Sequence, residues 1–354
     1  MYDSEKKSIF AKNKSIMAVK IPHSINLSII IPVYNVEKYI RTCLESVYKQ
    51  GINDEYFEVI IINDGTKDGS IQIIEDLISQ HNNIIVYNQE NQGISSTRNK
   101  GIELARGKYI FMLDSDDLLV EHSLSIIMDK ALSSEYDLIV ADYKEMNDEE
   151  IYKYVFQNPR PAKYIEKTKE QLLLEDLNPR KCYLWRILYR RDFLIKEEIS
   201  FIPGIIFEDI PFVHLCFLKA KKCLKTDLLV YIYRRGVLTS ETSIFTKKKA
   251  FDLSIAIYEL WKMTKFKGLS NNVYNKLQDD TFVTFSILMY AIVYNIDKTK
   301  DRISIIDNLK RLIPDLHFKH GFKQRINDFM YHYMPHTYIF IRLAYKLLSR
   351  FLNS

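Results

Sequence analysis

Apolar runs alternate with helical patterns along the first half of the chain. Five runs of β-branched and other apolar residues predict strands, at residues 27–33, 59–62, 84–87, 109–113 and 136–140. Between the first four, apolar side chains recur at helical spacing, as at Ile40, Cys43, Leu44 and Val47. Near-continuous apolar strands separated by helices indicate an α/β fold with a mostly parallel sheet covered on both faces.

Polar residues follow each of the first four predicted strands. They are Tyr34 and Asn35, Asn63 and Asp64, Asn88 and Gln89, and Asp114. One such ending alone is typical of a turn or a helix cap. Ligands of open α/β sheets, however, bind outside the carboxyl ends of the strands, so the four endings together predict a ligand-binding cleft.

The most informative segment is KYIFMLDSDD at residues 108–117, where a predicted strand runs into Asp114, Asp116 and Asp117. Burying an unpaired carboxylate is costly, so we expect these side chains where the strand reaches the surface. Asp114 and Asp116 are two residues apart, and extended backbone directs both to one face. Two converging carboxylates suit a divalent cation and the phosphate that it carries.

Composition and charge narrow the class of protein. The 354 residues are 47% hydrophobic and 27% charged, as in ordinary globular proteins, and the net charge of +5 does not indicate nucleic-acid binding. No GxGxxG follows the first strand, which argues against a dinucleotide oxidoreductase. The cysteines form no CxxC pair and no zinc spacing, which predicts reduced thiols in a cytoplasmic protein: Cys43, Cys182, Cys216 and Cys223.

Neither a signal peptide nor a membrane span is expected. Residues 1–20 lack a continuous apolar core. The longest uncharged run, residues 281–296, is short for a span and contains four polar residues: Thr281, Thr284, Ser286 and Asn295. We therefore expect a buried helix there.

Three regions are predicted along the chain: an N-terminal extension (1–25), an α/β domain (26–240) and a smaller, mainly helical domain (241–354). Near its end, residues 329–354 set apolar side chains among Arg342, Lys346 and Arg350. Such a basic amphipathic helix fits peripheral contact with an anionic membrane. A helix packed on the α/β domain or in a homodimer contact fits equally well.

Three segments together resemble the family 2 glycosyltransferases, which have the GT-A fold: SIIIPVYNVEKYI, VIIINDGTKDGS and NQGISSTRNKGIELARGKYIFMLDSDD. The resemblance covers residues 26–120 in unbroken order. A weaker continuation, FIPGIIFEDIPF, is similar to the acidic ED element of that family. Thr66 and Thr97 stand where the family commonly has Ser and Ala, and both remain small. The implied fold is a Rossmann-like nucleotide-sugar-binding domain followed by a mainly helical domain.

The resemblance also assigns residues to a nucleotide-sugar site: Pro32, Tyr34, Glu37, Asp64, Arg98, Asp114, Ser115, Asp116 and Arg235. It places Pro32, Tyr34 and Glu37 in the lining of the nucleoside pocket. It implies that Asp64 hydrogen-bonds the base, for which uracil is favoured. Arg98 lies near the base and the diphosphate. Asp114 and Asp116 contact the ribose and a Mg²⁺ or Mn²⁺ ion.

Later positions are implied with less detail. The resemblance makes Asp209 the catalytic base, with Glu208 as a supporting neighbour, whereas the residues alone favour Asp209 as a helix N-cap ahead of Pro211. The segment YIYRR supplies an arginine for the diphosphate, and Arg234 and Arg235 are both candidates. Trp185 with Arg186 fits an acceptor contact, although a tryptophan among apolar residues is more often core.

The implied enzyme is an inverting, metal-dependent glycosyltransferase. It would move a sugar from a nucleotide donor, with a UDP-sugar favoured, to a glycan or lipid-linked oligosaccharide in the synthesis of a bacterial capsule or other surface polysaccharide. We expect it in the cytoplasm, and peripheral contact with the inner face of the plasma membrane is one of the roles left open for its last helix. The alternative is a catalytically silent nucleotide-sugar-binding subunit that supports a partner transferase.

Overall fold

The computed structural model of the chain describes residues 24–154, 162–236, 245–318, 322–333 and 337. Within these residues, nine strands form one sheet, in the spatial order β3-β2-β1-β4-β8-β6-β9-β5 with β7 beside β9. The strands are β1 (Leu27–Val33), β2 (Phe57–Asn63), β3 (Ile84–Asn88), β4 (Tyr109–Met112), β5 (Leu118–Leu119), β6 (Leu138–Met146), β7 (Tyr164–Lys167), β8 (Ile187–Arg190) and β9 (Cys223–Arg234). The α/β class is confirmed.

In the described residues, α-helices are interspersed with the strands as far as β9 and are the only elements that follow it. They are α1 (Ile40–Val47), α2 (Glu75–Gln80), α3 (Ile94–Leu104), α4 (Ser123–Ser134), α5 (Asp148–Lys153), α6 (Lys169–Gln171), α7 (Arg191–Lys196), α8 (Asp209–Lys219), α9 (Lys247–Met263), α10 (Asn271–Asn295), α11 (Thr299–Leu312) and α12 (Phe322–Tyr333).

Strands β1 to β4 are parallel, as the apolar runs predict. Val33 of β1 pairs with Asn63 of β2, which pairs with Asn88 of β3, so the carboxyl ends of these strands lie level. Helix α3 packs closely on this half of the sheet. A Cβ atom on Gly101 would lie 2.3 Å from Cγ2 of Ile30, so only glycine permits this approach.

The second half of the sheet makes it mixed. Strand β8 runs antiparallel to both β4 and β6, and β9 is parallel to β6 but antiparallel to β5 and β7. The register of β6 against β9 shifts between Val140 and Tyr143. This irregularity interrupts the period-two pattern, which explains why the sequence after residue 140 gave no clear strand prediction.

The described helices from α9 onward pack on the α/β part through one continuous cluster of buried side chains. The buried helix predicted at residues 281–296 forms the second half of α10, where Phe285 and Leu288 are fully buried. All four cysteines are buried free thiols. In the described part of the chain, no helix has the length and apolar character needed to cross a membrane.

Two sequence predictions concern residues that the structure does not describe. Residues 1–23, most of the expected N-terminal extension, lie outside the described residues, as does nearly all of the basic amphipathic segment after Tyr333. The domain boundary near residue 240 stays a prediction.

Candidate active site

A cleft of about 600 Å³ opens at the carboxyl ends of β1, β2 and β4. Its opposite side is formed by the segments that precede β8 and α8, together with Tyr233 of β9. Three of the four polar strand endings converge on this cleft, through Tyr34 and Asn35, Asp64, and Asp114. Asn88 and Gln89 do not line it, and the loop after β3 contributes Asn91 instead. Eight of the predicted site residues line the cleft: Pro32, Tyr34, Asp64, Arg98, Asp114, Ser115, Asp116 and Asp209.

Asp64 is buried at the end of β2 and organises the loop that leads into α3. One carboxylate oxygen accepts hydrogen bonds from the Gln92 backbone amide (2.8 Å) and the Gln89 side chain (2.7 Å). The other accepts from the Gly93 amide (2.9 Å). A carboxylate has about four acceptor positions, so one remains to meet a base. The predicted base contact stays a prediction.

The loop after β1 is held by polar contacts with the loop after β2. Asn35 has a positive φ of 54°, which asparagine tolerates, and its backbone amide donates to the hydroxyl of Thr66 (2.8 Å). The carboxylate of Glu37 accepts from the backbone amide of Gly69 (2.9 Å). Glu37 thus holds the loop and is not among the cleft-lining residues, whereas Tyr34 is 40% exposed at the cleft.

Arg98 connects the two acidic groups of the cleft. Its Nη2 donates to Oδ1 of Asp114 (2.6 Å), and its Nη1 pairs with Oε1 of Glu208. The guanidinium is 5% exposed and lies over the ring of Phe201. Burial alone would lower its pKa, but the charges of Asp114 and Glu208 outweigh burial and raise it. Arg98 therefore joins the end of β4 to the start of α8 as a permanent cation.

The residues after β4 fit a divalent cation. Asp114 and Asp116 both line the cleft, separated by the buried Ser115. Burial and then the negative charge of Asp114 raise the pKa of Asp116 to about 6. A cation bound between these carboxylates would relieve that repulsion, and oxygen donors are the ligands that Mg²⁺ and Mn²⁺ prefer.

Asp117, the third carboxylate of this segment, faces away from the cleft. It is fully buried, and its oxygens accept from the hydroxyl of Tyr231 (2.7 Å) and the backbone amide of Arg234 (2.7 Å). The same tyrosine hydroxyl accepts from the backbone amide of Asp114 (3.2 Å). Asp117 is therefore the anchor that fixes the acidic loop to β9.

The two candidate arginines differ in position, and neither is among the described residues that line the cleft. Arg234 is buried, donates from Nε to the backbone oxygen of Asp116 (2.6 Å) and pairs with Asp148. Arg235 is 56% exposed and pairs with Glu145 (3.1 Å). The assignment of Arg235 to the diphosphate stays a prediction.

Asp209 begins α8 at the edge of the cleft. The helix N-cap interpretation is wrong, because Glu208 occupies the cap position and its side chain makes no capping bond. The Asp209 carboxylate accepts from the backbone amide of Ile210 (2.9 Å). Burial and then the charge of Glu208 raise the pKa of Asp209 to about 7, while Arg98 opposes the rise. A carboxylate that titrates near neutrality suits general base chemistry.

Sequence reasoning missed several cleft residues. Tyr183 and Phe207, which has a positive φ of 72°, both line the cleft. Tyr183 lies in no motif, and Phe207 lies in the acidic ED element but was given no role. Asn91 could have been found, since it lies two residues after a predicted strand ending. The link from Arg98 to Glu208 joins residues 110 positions apart, and no local pattern reveals such a pair.

The chain is similar to known proteins both in sequence and in fold. The model of the family described as "Glycosyl transferase family 2" matches residues 28–196. A putative glycosyltransferase of Bacillus subtilis, EpsH, is 32% identical over 275 residues, which cover 73% of this chain and 74% of that protein. The uncharacterized glycosyltransferase EpsJ of the same organism is 34% identical over 219 residues, covering 59% of this chain and less than two thirds (61%) of EpsJ.

Among solved structures, residues 1–349 of S. aureus TarS in complex with UDP-GlcNAc have a similar fold. The TM-score is 0.65, and the match covers 82% of each chain. Sequence identity is 21%, so the likeness concerns the fold.

Proposed function

The chain belongs to glycosyl transferase family 2, and on that premise we propose that it transfers a sugar from a nucleotide-diphosphate donor to a hydroxyl group of a glycan or lipid-linked acceptor. The observation that carries this proposal is the cleft in which Arg98 joins Asp114 to Glu208, the neighbour of Asp209. Carboxylates suited to a leaving diphosphate and a carboxylate suited to a base thus share one cavity.

A UDP-sugar is the donor that we propose. Asp64 retains an acceptor position for a base N–H, and the exposed Tyr34 offers an aromatic face beside it. TarS, whose fold is similar, was solved with UDP-GlcNAc. These features favour uracil, and the sugar itself is left open.

Departure of the nucleoside diphosphate adds negative charge at the leaving oxygen, which the cleft must stabilise. Asp114 and Asp116 would hold a Mg²⁺ or Mn²⁺ ion, which supplies that positive charge when bound. Arg98 keeps Asp114 oriented through its 2.6 Å hydrogen bond. The buried Asp117 fixes the backbone of the same loop from behind.

The attacking side needs a group that accepts a proton. We assign this role to Asp209, which would take the proton from the acceptor hydroxyl. The hydroxyl oxygen would then bond to the anomeric carbon as the bond from that carbon to the diphosphate breaks. Attack opposite the leaving group inverts the anomeric configuration. Glu208 is occupied by Arg98, so Asp209 is the carboxylate of the pair that we assign to this step.

We propose the assembly of a bacterial surface polysaccharide, such as a capsule, as the biological role, with the reaction at the cytoplasmic face of the membrane. This role follows from the family resemblance. The competing reading as a catalytically silent binding subunit would leave the raised pKa of Asp209 and the paired Asp114 and Asp116 without a use.

A nucleotide-sugar panel with Mn²⁺ tests the proposal. Thermal shift would measure donor binding, and release of nucleoside diphosphate would measure donor hydrolysis. We expect UDP-sugars to stabilise the protein and to be hydrolysed, with EDTA abolishing the hydrolysis. Asp114→Asn and Asp116→Asn should lose it, whereas Asp76→Asn, at an exposed pair with Arg41, should retain it.

The outcomes separate the candidates. Donor binding with neither hydrolysis nor transfer to any acceptor would favour the silent subunit. A preference for GDP- or CDP-sugars would correct the donor alone. If no nucleotide sugar bound or reacted with any divalent metal, the proposed function would be wrong.

A further inference from the structure

Four aromatic side chains lie beyond the carboxylates of the cleft, on the segment before β8 and on β9. The ring of Trp185 stacks on Tyr231 (centroids 4.1 Å apart, planes 13° apart) and on Tyr183 (4.6 Å, 16°). Tyr233 lies against Trp185 (5.4 Å) and Tyr183 (5.7 Å). All three of Tyr183, Trp185 and Tyr233 line the cleft, but Trp185 is only 4% exposed, whereas the two tyrosines are half-buried. The predicted acceptor contact of Trp185 stays a prediction.

We call Tyr183, Trp185 and Tyr233 the aromatic wall. Its rings are fixed from two directions. Tyr143 meets Tyr183 and Trp185 edge-on, at interplanar angles of 87° and 81°. Behind Trp185, the hydroxyl of Tyr231 is bonded to the acidic loop through Asp117. Because packing already holds the rings, a ligand that contacts them loses little free energy in ordering them.

The order of the strands locates the wall relative to the other groups of the cleft. Asp64 follows β2, Asp114 and Asp116 follow β4, and the wall lies just before β8 and on β9, further along the same sheet. The segment that carries Tyr183 also reaches α8, the helix that begins at Asp209. Cys182, the neighbour of Tyr183, lies 3.9 Å from Nδ1 of His214 in the second turn of that helix.

The chemistry of an exposed aromatic face selects its ligand. Such a face carries partial negative charge and packs well against flat groups with polarised C–H bonds. A pyranose ring presents such a C–H face and keeps its hydroxyl groups at the rim. An acyclic polyol phosphate has no comparable flat face and carries a charge that the ring does not favour.

We propose that Tyr183 and Tyr233, supported by Trp185, form the acceptor subsite and bind the terminal pyranose ring of the acceptor by stacking. This inference rests on the proposed function. The donor sugar is tethered to the diphosphate at Asp114 and Asp116, whereas the acceptor hydroxyl has to meet Asp209, on the side toward the wall. Tyr183 and Tyr233 are then specificity-determining residues.

The test measures KM separately for the two substrates. Octyl pyranosides of glucose, galactose, mannose and N-acetylglucosamine, and glycerol phosphate as the acyclic probe, would be offered with the donor found above. For the accepted pyranoside, Tyr183→Ala and Tyr233→Ala should raise the acceptor KM about tenfold and the donor KM much less. Tyr183→Phe and Tyr233→Phe keep the ring and should restore the acceptor KM.

Tyr290→Ala is the matched control, because Tyr290 is 57% exposed on α10 and is not a cleft residue. Thermal unfolding would show that each variant is folded. Saturation-transfer NMR would detect pyranoside binding even where no transfer occurs, and the signal should weaken in the two Ala variants.

Three results would overturn the inference: an unchanged acceptor KM, an equal rise in both KM values, or acceptance of glycerol phosphate alone. A fourth result would overturn it too: no pyranoside is an acceptor, and none gives a saturation-transfer signal. Failure of the proposed function is distinct, since the wild-type protein would then hydrolyse no nucleotide sugar.

Discussion

Asp209 has to be ionised before it can accept a proton from a hydroxyl group. Its raised pKa of about 7 means that the ionised fraction grows as pH rises through neutrality. We therefore expect kcat to increase from pH 6 to pH 8. Asp209→Asn should lower kcat by about 100- to 10,000-fold while the donor still binds, because general base catalysis contributes on that order. Transfer assays across this pH range would measure both effects.

The same residue links catalysis to stability. A carboxyl with a raised pKa binds more protons in the folded than in the unfolded chain between about pH 4 and pH 7, so its contribution to stability falls as pH rises through that window. The Asp209→Asn variant lacks this pH-dependent loss of stability. The unfolding free energy of the variant, relative to that of the wild type, should therefore grow from pH 4 to pH 7 and then level off.

The transfer rate tests the base assignment itself. If Asp209→Asn transferred sugar at the wild-type rate, the assignment would be wrong.

At the scale of elements, β9 and the acidic loop after β4 act as one unit. Arg234 bonds to the backbone of Asp116, and its own amide bonds to Asp117. Arg234→Ala should lower the free energy of unfolding by about 1–3 kcal/mol, because it leaves buried groups unpaired, and should raise the Mn²⁺ concentration needed for half-maximal activity. Urea unfolding and Mn²⁺ titration of activity would measure these changes.

Arg235→Ala is the matched control for that variant. Arg235 is exposed and pairs with Glu145, so its loss should change both quantities less. The guanidinium of Arg235 also lies over the ring of Tyr233 (5.4 Å), so the two KM values are needed as well. The reverse order, with Arg235→Ala more damaging to activity and the donor KM raised more than the acceptor KM, would favour the predicted contact of Arg235 with the diphosphate. The order of the two effects thus shows which of Arg234 and Arg235 matters more for activity, which the sequence did not distinguish.

Sequence alone predicts the parallel half of the sheet because each of its strands has a local apolar signature, and β1, β2 and β4 are almost entirely buried. The run at residues 27–33 coincides with β1, and Asp114 lies where the strand ending predicts. The half built from β6, β8 and β9 depends on pairings between distant segments and on a register shift. Local periodicity carries no information about such pairings, and the wall residue Tyr183 was missed for that reason.

The same reasoning explains the acidic residues. The spacing places Asp114 and Asp116 on one face, and both line the cleft, whereas Asp117 is fully buried and bonded to β9. The anchoring role of Asp117 depends on Tyr231, 114 positions away, and no local pattern reveals it. The raised pKa of Asp209 likewise depends on burial and on Glu208, which a sequence pattern does not measure.

At the scale of the whole molecule, the described helices after β9 complete the core of the α/β part. His214 on α8 is fully buried, and its Nε2 lies 3.1 Å from Oδ2 of Asp280 on α10. Lys276 pairs with the same carboxylate at 2.6 Å. The helix that begins at the proposed base is thus tied to the helical region by a buried charged group, in addition to apolar contacts.

Asp280→Ala tests whether the two regions form one cooperative unit. Removing the shared acceptor leaves the Lys276 ammonium without its counter-charge and Nε2 of His214 without its partner, and we expect the free energy of unfolding to fall by about 3–5 kcal/mol. Asp301→Ala, at a more exposed pair with Lys247, should have a smaller effect.

The two tryptophans make the measurement regional, because Trp185 lies beside β8 and Trp261 in α9. Fluorescence of Trp185→Phe and Trp261→Phe proteins in urea should give coincident transitions, since one buried cluster joins the regions. Asp280→Ala should shift both transitions together. If the two transitions were separate, and Asp280→Ala shifted only the one reported by Trp261, the result would instead support an independent helical domain beyond residue 240.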